Sequence, residues 1–109
     1  MVVDEFADQV DRLVDRLRSL PIPRLTRSSD GQPSIADSAH ALAQVFADLS
    51  ADLDQRTRRD IPRLNALASG DQVAVTAKDL VVAAQSVDSD AVPAIEVALA
   101  ATRALRDRV

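Results

Sequence analysis

His40 is the only histidine of the chain, and no cysteine accompanies it. Asp37 lies three residues before it and Gln44 four residues after it, so on a helix the three side chains share one face. A zinc site usually has three or four strong ligands, so this spacing predicts no metal site and no cofactor. Ser38 lies two residues from His40, and residues two apart on a helix do not face each other. A serine activated by His40 is therefore not predicted, and we expect a non-enzymatic protein.

The residues around His40, Ala-His-Ala-Leu at positions 39–42, resemble one known family. In the histidine phosphotransfer domains of bacterial signalling, a helix of a small bundle carries a His-x-Leu-Lys-Gly pattern. Leu42 matches the leucine, whereas Ala43 and Gln44 stand where that family has its lysine and glycine. In the family the lysine neutralises the incoming phosphate and the glycine leaves room for the partner's active site. The resemblance implies an alternative function for this chain, a signalling domain with His40 as the phosphoacceptor.

A cluster of arginines lies in the middle of the chain and forms a second candidate site. Its members are Arg56, Arg58, Arg59 and Arg63, and Arg24 and Arg27 are expected nearby across the loops. Guanidinium groups bind carboxylates and phosphates in a planar fork, so this cluster is a candidate contact for an anion, a nucleic acid or a partner. Asp52, Asp54 and Asp60 lie within a turn of these arginines, which favours internal ion pairs. Because the net charge is −4, nucleic-acid binding is not expected.

The composition predicts one all-helical domain. Of the 109 residues 47% are hydrophobic but only 2% aromatic, so the core must be built from aliphatic side chains. Without cysteine the chain needs no oxidising compartment, and we expect a cytoplasmic protein that does not cross a membrane. Its longest uncharged run, residues 38–47, is about half of the roughly 20 residues that a membrane-spanning helix needs. Arginine far outnumbers lysine and aspartate far outnumbers glutamate, which is typical of a GC-rich bacterial genome.

Apolar residues repeat with helical spacing in four segments. They predict helices over residues 4–19, 34–58, 71–87 and 91–108, and a short helical turn at 61–68 with Leu64 and Leu67 facing inward. Residues 21–33 hold three prolines and a Ser-Ser-Asp-Gly run, which predicts a mobile surface loop, either functional or disordered. The predicted fold is all-α, an up-and-down four-helix bundle with a short extra helical turn between the second and third main helices.

The predicted helix at 71–87 is the most apolar of the four and belongs at the centre of the bundle. Ser69 and Gln72 have the spacing of a capping box at its start, and Gly70 is placed to end the preceding segment. The alanines on this helix and on the last helix predict that the two pack closely as an antiparallel hairpin. An alternative is a strand at residues 72–76, where apolar side chains alternate.

Apolar residues that a bundle core leaves uncovered predict the function. The candidates for exposure are Val75, Val82, Val92, Val97 and Val109. A small helical domain without a catalytic set more often presents a helical face to a protein, so we expect an interaction, regulatory or accessory module that binds a partner or a second copy of itself. A contiguous patch would mark such an interface, whereas scattered valines are ordinary surface.

The tetrapeptide Ile-Pro-Arg-Leu occurs twice, at residues 22–25 and 61–64, each time after a predicted helix. A duplicated helix-and-turn unit is one interpretation. The residues flanking the two copies barely match, so we interpret the repeat as a coincidence.

Overall fold

Five helices build the bundle. The computed structural model describes residues 2–28 and 31–109, with residues 88 and 89 described by their backbone only. The elements are α1 (Val2–Ser19), α2 (Ile22–Thr26), α3 (Ile35–Leu53), a 3₁₀ turn (Ala66–Ala68), α4 (Ser69–Val87), a second 3₁₀ turn (Asp88–Ala91) and α5 (Val92–Arg106). The described part of the chain is 78% helical and contains no strand. The predicted all-α bundle of four principal helices, with a helical turn between the second and third, is confirmed.

The core is aliphatic around a single aromatic pair. Phe6 of α1 and Phe46 of α3 are fully buried, and their rings meet edge to face with centroids 5.2 Å apart. Aliphatic side chains from all five helices form one core cluster with this pair, with Leu13, Leu80 and Ile95 fully buried. The two phenylalanines therefore sit where the four principal helices converge.

α2 lies inside the segment predicted as a surface loop. Pro21 and Pro23 stand at its start, where a missing backbone N–H costs nothing, and the N–H groups of Arg24 and Leu25 donate to the Pro21 carbonyl. Leu25 is only 1% exposed and joins the core. Ser29 and Asp30 of the same segment lie outside the described residues, and its mobility stays a prediction.

α3 ends at Leu53, five residues earlier than predicted. Asp52 and Asp54 stand at its carboxyl end, where acidic side chains oppose the helix dipole, and Gln55 takes a left-handed backbone with φ of 57°. The N–H of Arg56 then donates to the Ala51 carbonyl at 2.8 Å and closes the end. Arg56, Arg58 and Arg59 consequently follow the helix in an irregular segment, and their predicted place on its last turn is wrong.

Residues 54–65 return along α3, and we call them the return segment. Gln44 of α3 holds it at its middle, donating from Nε2 to the Arg59 carbonyl and accepting from the Ile61 N–H, both at 2.9 Å. Only residues 66–68 of the predicted turn at 61–68 are helical. Leu64 and Leu67 are 49% and 65% exposed, so the prediction that they face inward is wrong. The backbone groups are held here, while the leucine side chains are left outside.

α4 begins at Ser69, without the predicted capping box. The Ser69 hydroxyl donates to the Ala66 carbonyl at 2.7 Å, and Gln72 points away to other partners. Gly70 lies within the first turn of α4 instead of ending the preceding segment. A Cβ atom there would lie 3.1 Å from Cγ of Arg18, so glycine allows α4 to approach α1 closely. Residues 72–76 are helical, which excludes the strand alternative.

Pairs of contacts fix the helix directions. His40 and Ser50 of α3 contact Gln72 and Asp79 of α4 respectively, so α3 and α4 run in the same direction. The return segment makes this possible, because it carries the chain back to the end where α3 began. The predicted up-and-down order, in which α4 would run opposite to α3, is therefore wrong. α1 runs antiparallel to α4, with Arg18 near the end of α1 on Asp71 at the start of α4.

The four principal helices form a square in the order α1, α4, α3, α5, which places α4 and α5 on a diagonal. They are joined by the short turn Asp88–Ala91, as predicted, but each packs mainly on α1 and α3. The predicted close packing of their alanines on each other is therefore wrong. Each helix therefore buries its core face mainly against α1 and α3, in a cluster that includes Phe6 and Phe46.

Candidate functional site

His40 lies half-buried on α3, beside the start of α4. Its Nδ1 is 3.2 Å from Oε1 of Gln72, and Nε2 of Gln72 donates to the Pro62 carbonyl at 2.7 Å. Because the Pro62 carbonyl only accepts, it fixes the Gln72 amide with Oε1 toward the imidazole, and Nδ1 therefore carries the proton. In the neutral ring Nε2 is left as a hydrogen-bond acceptor. Sequence spacing could not reveal this, because Gln72 lies 32 residues from His40.

A half-open cavity of about 250 Å³ adjoins His40. Arg63 lines it and forms an ion pair with Asp37, which also lines it. Hydroxyl and amide groups of Thr26, Ser34 and Asn65 complete its polar wall. Ser38 lies on another face of α3, where its hydroxyl accepts a hydrogen bond from Arg108. The cavity thus combines an imidazole with an ion pair, and Ser38 is not available to His40.

The predicted arginine cluster is spread along the return segment, and three of its members contact acids. Arg58 binds Asp52 through two hydrogen bonds of 3.0 and 2.6 Å, and Arg56 contacts Asp54 at 3.2 Å. Arg63 pairs with Asp37 at the cavity, and Arg59 is exposed. The Arg58 guanidinium lowers the pKa of Asp52, chiefly through the hydrogen bonds, and Asp52 in turn raises the pKa of Arg58. Any role of the cluster toward an outside anion stays a prediction.

Most of the valines predicted to be exposed are exposed. Val75 and Val82 are each 60% exposed, Val97 is 55% and Val92 is 38%, whereas Val109 is half-buried. Val75 and Val82 lie two turns apart on one face of α4. The sequence did not predict three further exposed side chains, Ile22, Leu64 and Leu67.

Two of the four seams between neighbouring helices are covered. The return segment lies along the α3–α4 seam, where its residues and those of both helices line a common surface. Polar side chains close the α1–α5 seam: Arg103 contacts Glu5, Arg106 contacts Gln9, and Arg16 donates to the Val109 carbonyl at 2.7 Å. Charged and polar groups therefore line both seams, including a cavity between Arg12, Arg16 and Arg106 on the α1–α5 seam.

The other two seams, on opposite sides of the square, are open apolar grooves. The α1–α4 groove has a volume of about 320 Å³, with Phe6 and Val10 at its floor and Ala7, Ala74 and Val81 on its walls. The α3–α5 groove has a volume of about 300 Å³, and small side chains, Ala41, Ala101 and Ala104, line it. In both cases alanines face each other across neighbouring helices and leave a hollow that larger side chains would fill.

Within residues 2–28 and 31–109, no helix is both long and apolar enough to span a bilayer. The same residues place no group of three or more histidine or acidic side chains around a possible metal position.

Comparison with protein-family models, with curated proteins and with solved structures finds no match to this chain.

Proposed function

We propose that this chain is a small interaction module that binds another protein in its open helix seams. The observation that carries the proposal is the pair of apolar grooves on opposite sides of the bundle, between α1 and α4 and between α3 and α5. An amphipathic helix laid into such a groove buries its apolar face in the way that helix-in-groove complexes do.

One exposed valine supports this proposal because it extends an apolar groove. Val75 and Val82 instead form an exposed apolar pair on the outer face of α4, about 100° around the helix from Val81 of the α1–α4 groove wall. Val97 lies one turn before Ala101, a wall residue of the α3–α5 groove. An apolar groove with exposed apolar side chains next to it is a common feature of interaction surfaces.

Site-specific photo-crosslinking in extract of the native organism tests the proposal. A photoreactive residue is placed at Val82, at Val97, or at Glu96, which is exposed and lies seven residues from Arg103 on the covered α1–α5 side. Defined protein adducts are expected from position 82 or 97 and not from position 96, with the adducts identified by mass spectrometry. Equal labelling at all three positions, or no adduct at 82 and 97, would contradict an interaction through the open seams.

A second candidate function, phosphotransfer through His40, is supported by one observation. Arg63, which is paired with Asp37, lines the same cavity as His40 and brings a cation to it, whereas Ala43 takes the place of the lysine of the phosphotransfer pattern. Incubation with acetyl phosphate should then give an acid-labile phosphoryl adduct in the intact mass of the wild type and not of His40→Gln. An unmodified wild type would eliminate this function.

A further inference from the structure

The two open grooves differ in the charge around them. On the outer face of α1, four exposed aspartates follow one another at spacings of four, three and four residues, and so form a single stripe. We call Asp4, Asp8, Asp11 and Asp15 the acidic stripe. Asp11 itself lines the α1–α4 groove.

Few cations lie close enough to offset the acidic stripe. Within the described part of the chain, Asp8 is the only aspartate of the stripe that forms an ion pair. Its Oδ2 lies 3.1 Å from Nε of Arg12. The opposite wall of the groove contributes one cation, Lys78. Arg18, at the end of the groove, is already paired with Asp71. The α1 side of the groove therefore keeps an excess of negative charge over an apolar floor.

The α3–α5 groove has a different character. Its lining includes one ionisable side chain, Arg108, which is bonded to Ser38 and to the Pro33 carbonyl. Among the residues that the structure describes, no acidic side chain lines that groove, so its lining does not attract a basic partner.

We propose that the α1–α4 groove binds a basic amphipathic helix of a partner protein, with its apolar stripe on the groove floor and its lysines or arginines along the acidic stripe. This inference rests on the proposed interaction function and adds to it the location and the chemistry of the partner. Apolar contact supplies affinity, while complementary charge supplies selectivity and speeds association. A helix with an acidic flank meets repulsion along the whole of α1 and is rejected.

Three synthetic peptides test the charge and the apolar requirement separately. The first is an 18-residue helix with a leucine and alanine stripe, lysine flanks and one tryptophan. The second has glutamate in place of every lysine, and the third keeps the lysines but carries serine and glutamine on the stripe. Because the protein has no tryptophan or tyrosine, peptide fluorescence reports binding without background. The first peptide should bind at least about tenfold more tightly than either control, and its binding should weaken with added salt.

Matched variants locate the binding. Ala74→Phe fills the α1–α4 groove and should weaken the first peptide about tenfold or more, whereas Ala104→Phe, in the α3–α5 groove, should not. Asp11→Asn should weaken binding several-fold and reduce its salt dependence, whereas Glu96→Gln, which removes an exposed acid outside the groove, should do neither. Circular dichroism of each variant checks that the bundle is intact, and Asp11→Asn keeps the test decisive if Ala74→Phe unfolds.

The outcomes separate this inference from the proposed function. Equal binding of the lysine and glutamate peptides, with both blocked by Ala74→Phe, would overturn the basic partner and leave the interaction module standing. Loss of binding through Ala104→Phe alone would overturn the location. No binding by any peptide would overturn the inference, and the crosslinking at positions 82 and 97 then decides the proposed function. A dimer in light scattering that Ala74→Phe dissociates, with no peptide binding, would identify a second copy as the occupant and overturn the basic helix.

Discussion

The two copies of Ile-Pro-Arg-Leu have the same sequence and opposite structures. Residues 22–25 lie in α2, where Leu25 is 1% exposed and Ile22 is 50% exposed. Residues 61–64 are irregular, and there Ile61 is half-buried and Leu64 is 49% exposed. The isoleucine faces outward in the first copy, and the leucine does so in the second.

The difference arises from the partners of the backbone. In the first copy the N–H groups of Arg24 and Leu25 donate to the carbonyl of Pro21, at 3.0 and 3.1 Å, so the hydrogen bonds are local and the segment is helical. In the second copy the Ile61 N–H and the Pro62 carbonyl are bonded by side chains of Gln44 and Gln72. The same four residues thus become helical or irregular according to what satisfies their backbone groups.

The largest effect expected from this comparison is on the buried leucine. Leu25→Ala should destabilise the fold by about 2–4 kcal/mol, because it removes a fully buried side chain and leaves a cavity. The matched change Leu64→Ala, in the other copy, should alter stability by no more than about 0.5 kcal/mol. Urea denaturation followed by circular dichroism measures both. Similar losses in the two variants would mean that Leu64 is buried in solution and that the contrast between the copies does not hold.

A smaller effect is expected from the side chain that holds the second copy. Gln44→Ala removes the hydrogen bonds to the Ile61 N–H and the Arg59 carbonyl, and should cost about 1–2 kcal/mol, at roughly 1 kcal/mol for each bond. The amide of Ile61 should then exchange with deuterium faster, while the amides of the first copy keep their rates. Gln85→Ala, an exposed glutamine on α4, is the control and should change neither quantity. Unchanged exchange at Ile61 in Gln44→Ala would show that other contacts position the return segment.

These two copies also show how far sequence reasoning reaches. The helical class follows from the spacing of residues such as Phe6, Val10, Leu13 and Leu17, which is local and regular, and the structure confirms it. The direction of α4 depends on the return segment, which the Gln44 amide bonds from 15 to 17 residues away, and no local pattern marks that contact. The grooves could not be predicted for the same reason. The sequence shows that an alanine fits a core position, but it does not show which residue lies opposite that alanine on the neighbouring helix.

The candidate sites also differ in how far the sequence predicts them. The exposure of Val75 and Val82 is predictable, because they widen the apolar face of α4 beyond what its neighbours can cover. The cavity at His40 is not predictable, because it joins residues of α2, α3, the return segment and α4. Its geometry depends on two parallel helices beginning at the same end of the bundle, and that follows from the return segment.

The smallest expected effect concerns the ion pair at the start of the return segment, which leads into the second copy. Arg58 holds the pKa of Asp52 below its ordinary value, so Asp52 binds a proton more weakly in the folded chain than in the unfolded chain. Its contribution to stability is therefore present above the unfolded-state pKa of about 3.9 and is lost as the pH falls through the folded-state value.

Arg58→Met should return the pKa of Asp52 toward the ordinary value, as measured by carbon NMR of the carboxyl group, and should make stability less dependent on pH below about 4. Lys78→Met removes a cation from the other side of α4 and should leave the pKa of Asp52 unchanged. Because both partners are exposed, the pair adds little to stability, and added salt should weaken it. A pKa of Asp52 that is the same in wild type and Arg58→Met would show that the two side chains do not stay paired in solution. The early end of α3 would then rest on its other contacts, including the hydrogen bond from the Arg56 N–H to the Ala51 carbonyl.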